Sequence, residues 1–136
     1  MSDPKRWQLR YESFRKALAQ LKEAVSQETH SQLERAGTIK TFEFSFELAW
    51  KTLKDLLEKE GYEIKTPRQT IKQAFQSDFI ENGQLWLEAL DNRNLMSYTY
   101  DEADSETAFN LIKDHYCGML VLLEERLAKE FAQCSD

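Results

Sequence analysis

The chain has 136 residues, 41% of them hydrophobic and 31% charged, with four Gly, two Pro and a formal net charge of −6. That length fits one domain spanning 1–136, with enough apolar side chains for one core and too few for two. The acidic balance disfavours a protein that coats nucleic acid, which needs a concentrated basic surface, although a local basic patch stays open.

No run of about 18 apolar residues is present to span a bilayer. The N-terminal Met1-Ser2-Asp3-Pro4-Lys5-Arg6-Trp7 lacks the apolar stretch of a secretion signal. Cys117 and Cys134 fall on one expected helix, roughly 25 Å apart at 1.5 Å per residue, too far to bridge each other. Two unpaired thiols suit a reducing compartment, so the expected location is cytoplasmic.

Few turn-formers and many Leu, Glu, Lys, Gln and Ala favour helices. Trp7, Tyr11, Phe14, Leu18, Leu21 and Val25 recur every three or four residues and predict a helix from about Pro4 to Val25. Ser26 to Ser31 reads as a loop. A second helix is expected from about Leu33 to Glu60, stopped at Gly61 as the residue just past its end. Its apolar residues lie on more than one side, with Ile39, Phe42, Phe46, Trp50, Leu53 and Leu57 on one face and Phe44, Leu48 and Leu56 elsewhere. A helix apolar on two sides needs two covers, and the expected second cover is another copy of the chain, seated on Phe42, Phe44, Phe46 or Trp50.

Thr66-Pro67-Arg68-Gln69 carries a capping-box start, with Thr as N-cap, Pro in the first turn and Gln three residues on. The helix it opens holds Ile71, Ala74, Phe75 and Asp78 and breaks near Asn82-Gly83. A fourth helix carries Leu85, Trp86, Leu87 and Leu90 and leads into the polar run Asp91 to Asn94. The last begins near Asp104 or Ser105 and carries Ala108, Ile112, Tyr116, Met119, Leu123, Leu127 and Phe131. The expected architecture is all-α, an antiparallel up-and-down bundle of four to five helices, dimeric.

Chemistry-bearing patterns are sparse. The glycines are scattered, so no phosphate-cradling loop exists, and no Cys/His cluster suggests zinc. His30 and His115 are far apart in sequence and read as structural or exposed. The acids Asp101, Glu102, Asp104 and Glu106 suit a helix N-terminus better than a metal. No cofactor or metal is expected.

The segment from Asp91 to Glu102 is unusual for an interhelical connection, because it combines Arg93, Asn92 and Asn94 with Ser97, Tyr98, Thr99 and Tyr100. Polar, aromatic connections on rigid scaffolds concentrate binding residues. The planar fork of Arg93 suits a phosphate, and the Tyr100 hydroxyl suits a base or a transferred group. The plainer alternative is a turn in which Arg93 pairs with Asp91 or Asp101.

The run Gly37-Thr38-Ile39-Lys40-Thr41-Phe42-Glu43-Phe44-Ser45-Phe46-Glu47-Leu48-Ala49-Trp50-Lys51-Thr52-Leu53-Lys54, then Thr66 to Ile71 with Ala74-Phe75, then Trp86, Asp91 to Asn94 and Ser97 to Glu102, resembles the nucleotidyltransferase substrate-binding protein family of the HEPN superfamily. The resemblance covers most of the chain. It implies a dimeric helical bundle whose partner is a minimal nucleotidyltransferase encoded by a neighbouring gene. The chain would be the non-catalytic subunit that presents or positions a substrate, nucleotide or RNA being further ligands. The binding residues implied are Arg93, Asn94, Tyr98, Tyr100 and Asp101, with Tyr100 an acceptor of AMP.

The alternative implied is a metal-independent RNase toxin of a toxin–antitoxin pair, whose pattern is Arg-x-x-x-x-His followed two residues later by Tyr. Arg93, Asn94 and Tyr100 match, but Tyr98 stands at the histidine position. A proton carrier near neutral pH is then missing, since His titrates near about 6.5 and Tyr near about 10. If an RNase survives, Arg93 and Tyr98 are its catalytic candidates, and dimerisation would bring Arg93, Tyr98 and Tyr100 of two chains into one groove.

Overall fold

The computed structural model describes residues 5–28, 30–96 and 102–133. Its helices are α1 (Arg6–Val25), α2 (Gln32–Lys59), α3 (Pro67–Gln76), α4 (Gly83–Met96), α5 (Glu102–Leu111) and α6 (Cys117–Gln133), with a π-helical turn at Ile112–Tyr116 joining the last two. Counting α5, the turn and α6 as one rod gives five helices and an all-α bundle. No helix among the described residues is long and apolar enough to cross a membrane.

Side-chain pairs fix the antiparallel register. Trp7 meets Lys59 and Arg10 meets Asp55 between α1 and α2. Between α1 and α6, Tyr11 donates to Glu124 and Trp7 packs edge-on against Phe131. The seam of α1 buries Trp7, Tyr11, Phe14, Leu18 and Leu21, as its spacing predicts. The expected start at Pro4 lies outside the described residues, as does Cys134.

Helix ends follow local chemistry. Ser31 and Glu34 form a capping box at the start of α2, a pattern the loop reading of Ser26 to Ser31 passes over. At the other end, Gly61 takes φ +101°, Tyr62 N–H reaches the Leu57 carbonyl and Gly61 N–H that of Glu58. This is the glycine-terminated closure the sequence predicts. Thr66 and Gln69 form the expected box at α3. That helix ends earlier than expected, because Asp78 adopts φ +64° and Phe79 N–H closes on the Ala74 carbonyl. Asp replaces the usual glycine there, and its short polar side chain tolerates the left-handed conformation. Gly83 then opens α4 against the Phe75 ring, where an added Cβ would come within 3.1 Å of Phe75 Cγ.

The central position of α2 corrects the argument for a second cover. It packs against α1, α3, α5 and α6 of its own chain. Phe42 and Phe46 are 0% exposed and Trp50 is 8% exposed, so these three have almost no surface left to offer a partner. Phe44, at 60% exposed, is the one expected seam residue that faces outward. A multi-sided apolar pattern here marks the middle helix of a bundle, with each fully buried Phe contributing about 1.5–3 kcal/mol. Buried hydroxyls of Thr38, Ser45, Thr52 and Thr70 are satisfied by carbonyls one turn back.

Candidate functional site: the C-terminal turn of α4

The polar run Asp91 to Asn94 is the end of α4, not a connecting turn. Being helical, its successive residues point about 100° apart, so each can reach a different neighbour. Asp91 accepts from Arg68 of α3 at 2.6 Å. Asn92 Nδ2 donates to the Tyr116 hydroxyl of the π-helical turn at 2.6 Å. Arg93 Nη1 pairs with Glu47 of α2. Polar residues thus tie one helix end to three elements.

Glu47 is the hub of this arrangement. Its Oε2 accepts from Arg93 and from Trp50 Nε1 at 3.0 Å, and its Oε1 lies 3.2 Å from Lys51 Nζ. Burial pushes the Glu47 carboxyl up, but hydrogen bonds from Trp50, Arg93 and Lys51 and the Arg93 charge outweigh it and hold it below the usual carboxylate range. Arg93 lies over the Phe46 ring at 5.9 Å, and its Nη2 donates to Asn94 Oδ1 at 3.3 Å. The Arg93 side chain keeps 25% of its surface exposed, so part of the guanidinium faces solvent.

The second polar node is Tyr116. Its hydroxyl donates to Glu88 at 2.9 Å while accepting from Asn92, and its ring stacks on Phe42 at 5.5 Å. Burial, with the adjacent Glu88 carboxylate, pushes this phenol up to about 12 although the Asn92 bond pulls the other way.

Of the sequence-derived binding residues, Arg93 and Asn94 are brought together here. Tyr98, Tyr100 and Asp101 lie outside the described residues. The plainer alternative for Arg93 is corrected as far as Asp91 is concerned: that carboxylate takes Arg68, and Arg93 takes Glu47. Sequence reasoning missed Glu47, Glu88, Arg68 and the polar role of Tyr116. A lone acid inside the apolar stretch Phe46 to Trp50 is the signal that could have found Glu47.

The histidines sit in other surroundings. His30 Nε2 contacts the Ala24 carbonyl at 2.7 Å and its ring packs 4.3 Å from that of Phe109. His115 borders a groove of about 700 Å³ between the α3–α4 connection and α6, lined also by Phe79, Met119, Leu122 and Arg126. Among the described residues, no three His, Cys, Asp or Glu side chains are grouped as a metal ion would require.

The family described as nucleotidyltransferase substrate binding protein like has a profile that matches residues 9–129. The chain belongs to that family. The match takes in the whole α4 cluster, Glu47, Asn92 and Arg93 included, and Tyr116. A curated relative, the probable ribonuclease HepT of Haemophilus influenzae (strain Rd), is 29% identical over 97 residues, which span 66% of this chain and 65% of that protein's length. A crystal structure of a Thermus thermophilus protein is similar with a TM-score of 0.77 at 35% identity, covering 84% of this chain and 98% of that one. The all-α bundle read from the sequence agrees with the Thermus structure, and the HEPN resemblance with the Haemophilus relative.

Proposed function

We propose that this chain is the non-catalytic, substrate-binding subunit of a two-component system. Its partner is a separately encoded minimal nucleotidyltransferase, and the α4 terminus carrying Arg93 is the face presented to that partner and its substrate. The observation that carries the reading is the Arg93 cluster, which lies inside the family-matched region. A part-exposed guanidinium pre-oriented by Glu47 and Phe46 is suited to a phosphate or a carboxylate arriving from outside. The chain works as a homodimer in this reading, with Phe44 on the contact face, and Tyr100 is the acceptor of AMP.

The test is co-expression with the nucleotidyltransferase of the adjacent gene. The two proteins are expected to co-purify as a defined complex. A partner active on its own that fails to bind the wild-type chain would refute the reading.

A second reading is favoured by one specific observation, the name of the Haemophilus relative as a probable ribonuclease. In that reading the dimer cleaves RNA through Arg93, with Tyr98 in the histidine's place. Growth arrest on expression, relieved by Arg93→Ala, together with cleavage of RNA by the purified chain, would select it over the binding subunit.

A further inference from the structure

The π-helical turn Ile112–Tyr116 interrupts an otherwise continuous rod. Such turns are rare in α-helices and concentrate at functional sites, because the extra residue re-aims whatever follows it. Here the turn ends on Tyr116, whose side chain is 0% exposed. Packing alone needs only the ring, which stacks on Phe42. The hydroxyl does something else: it bonds two residues of α4 in opposite senses, accepting from Asn92 at 2.6 Å and donating to Glu88 at 2.9 Å. Glu88 and Asn92 are one turn apart and so share a face of α4. The hydroxyl thus adds a two-point polar tie to the packing that sets how α4 is rotated against the π-helical turn.

That rotation governs the next residue. Arg93 follows Asn92 at about 100° around the helix, which turns it toward α2, where Glu47 and Phe46 receive it. The geometry points to Tyr116 as a positioning residue that holds Arg93 in register through Asn92 and Glu88. A phenol held near pKa 12 keeps its proton throughout the physiological range, so both bonds persist there. This inference rests on the reading that Arg93 contacts the nucleotidyltransferase or its substrate.

The experiment measures dissociation constants of the complex with the adjacent-gene nucleotidyltransferase for the wild type, Tyr116→Phe, Arg93→Ala and the double variant. Tyr116→Phe keeps the stacked ring and is expected to weaken binding roughly three- to tenfold, because it removes the hydroxyl's bonds to both Asn92 and Glu88. If Tyr116 acts through Arg93, the double variant binds no more weakly than Arg93→Ala alone. Wild-type affinity in Tyr116→Phe, or losses that simply add, would overturn the positioning role while leaving Arg93 in place. Wild-type affinity in Arg93→Ala would instead overturn the reading beneath it. Should Tyr116→Phe fail to fold, Asn92→Ala, which leaves the phenol intact, is expected to reproduce the loss. Glu88→Gln, which keeps an acceptor, should bind nearly as the wild type does. Undiminished binding by Asn92→Ala counts against the inference in the same way.

Discussion

Arg93 on the last turn of α4 and Glu47 in the middle of α2 meet as an ion pair across 46 positions of sequence. The contact ties the polar motif near the end of α4 to the long central helix of the bundle. Glu47 has three donors around it, from Arg93, Trp50 and Lys51, so its loss strands more than one group.

Glu47→Ala is accordingly expected to lower stability by about 1–2 kcal/mol, a value discounted because the pair is part-exposed. The folded carboxyl titrates below its unfolded value of about 4.3. Its contribution is thus present above that pH and lost as pH falls through the lower folded value. Urea unfolding at neutral pH and at about pH 3 checks both statements. A variant as stable as the wild type, with the same acid sensitivity, would contradict them.

Asp55 behaves in the opposite way. It is buried on α2, and desolvation raises its carboxyl above the ordinary range, although Arg10, Arg6 and Lys54 pull it down and Glu58 adds to the rise. Its Oδ2 lies 3.3 Å from Arg10 without hydrogen-bonding geometry. A raised acid makes the fold gain stability as pH falls from the folded pKa toward the unfolded value near about 3.9. Asp55→Asn should therefore match or exceed wild-type stability at neutral pH and flatten this dependence. A clear loss of thermal midpoint at neutral pH would show that the Arg10 pairing outweighs the burial.

The phenylalanines of α2 separate core from surface. Phe42→Ala opens a hole in a fully buried position and is expected to cost about 3–5 kcal/mol. Phe44→Asp should leave the fold intact, and in the dimer proposed here it should shift the chain to a monomer. Light scattering on the purified variant, with circular dichroism to verify folding, decides this. A Phe44→Asp protein with the same mass as the wild type would remove Phe44 from the contact.

Tyr100 lies outside the described residues, so its role is tested chemically. Incubation with ATP and the active nucleotidyltransferase is expected to add one AMP to the wild type and none to Tyr100→Phe. Intact-mass spectrometry reads the result, and an unmodified wild type would remove Tyr100 as acceptor.

Much of this bundle is legible in the residues themselves, where a local rule decides the outcome. The seam from Trp7 to Leu21, the Gly61 closure and the Thr66–Gln69 box each depend on a few neighbouring positions. What stays hidden depends on distant packing. The spare apolar faces of α2 resemble subunit contact surface because four covering helices of the same chain are invisible in a periodicity. Ile112, Tyr116 and Met119 keep three- and four-residue spacings, so the π-helical turn leaves the seam pattern unbroken. The run Asp91 to Asn94 has the polarity of a connection. It is helical because Arg68, Tyr116 and Glu47 supply partners from three directions.

The most direct test of the account is the affinity of the purified chain for the nucleotidyltransferase of the adjacent gene, measured by calorimetry for the wild type and Arg93→Ala. The account predicts a defined complex with the wild type and roughly tenfold or greater weakening by a folded Arg93→Ala, about 1.4 kcal/mol. Equal affinity of the two proteins, or no complex with either, would contradict it.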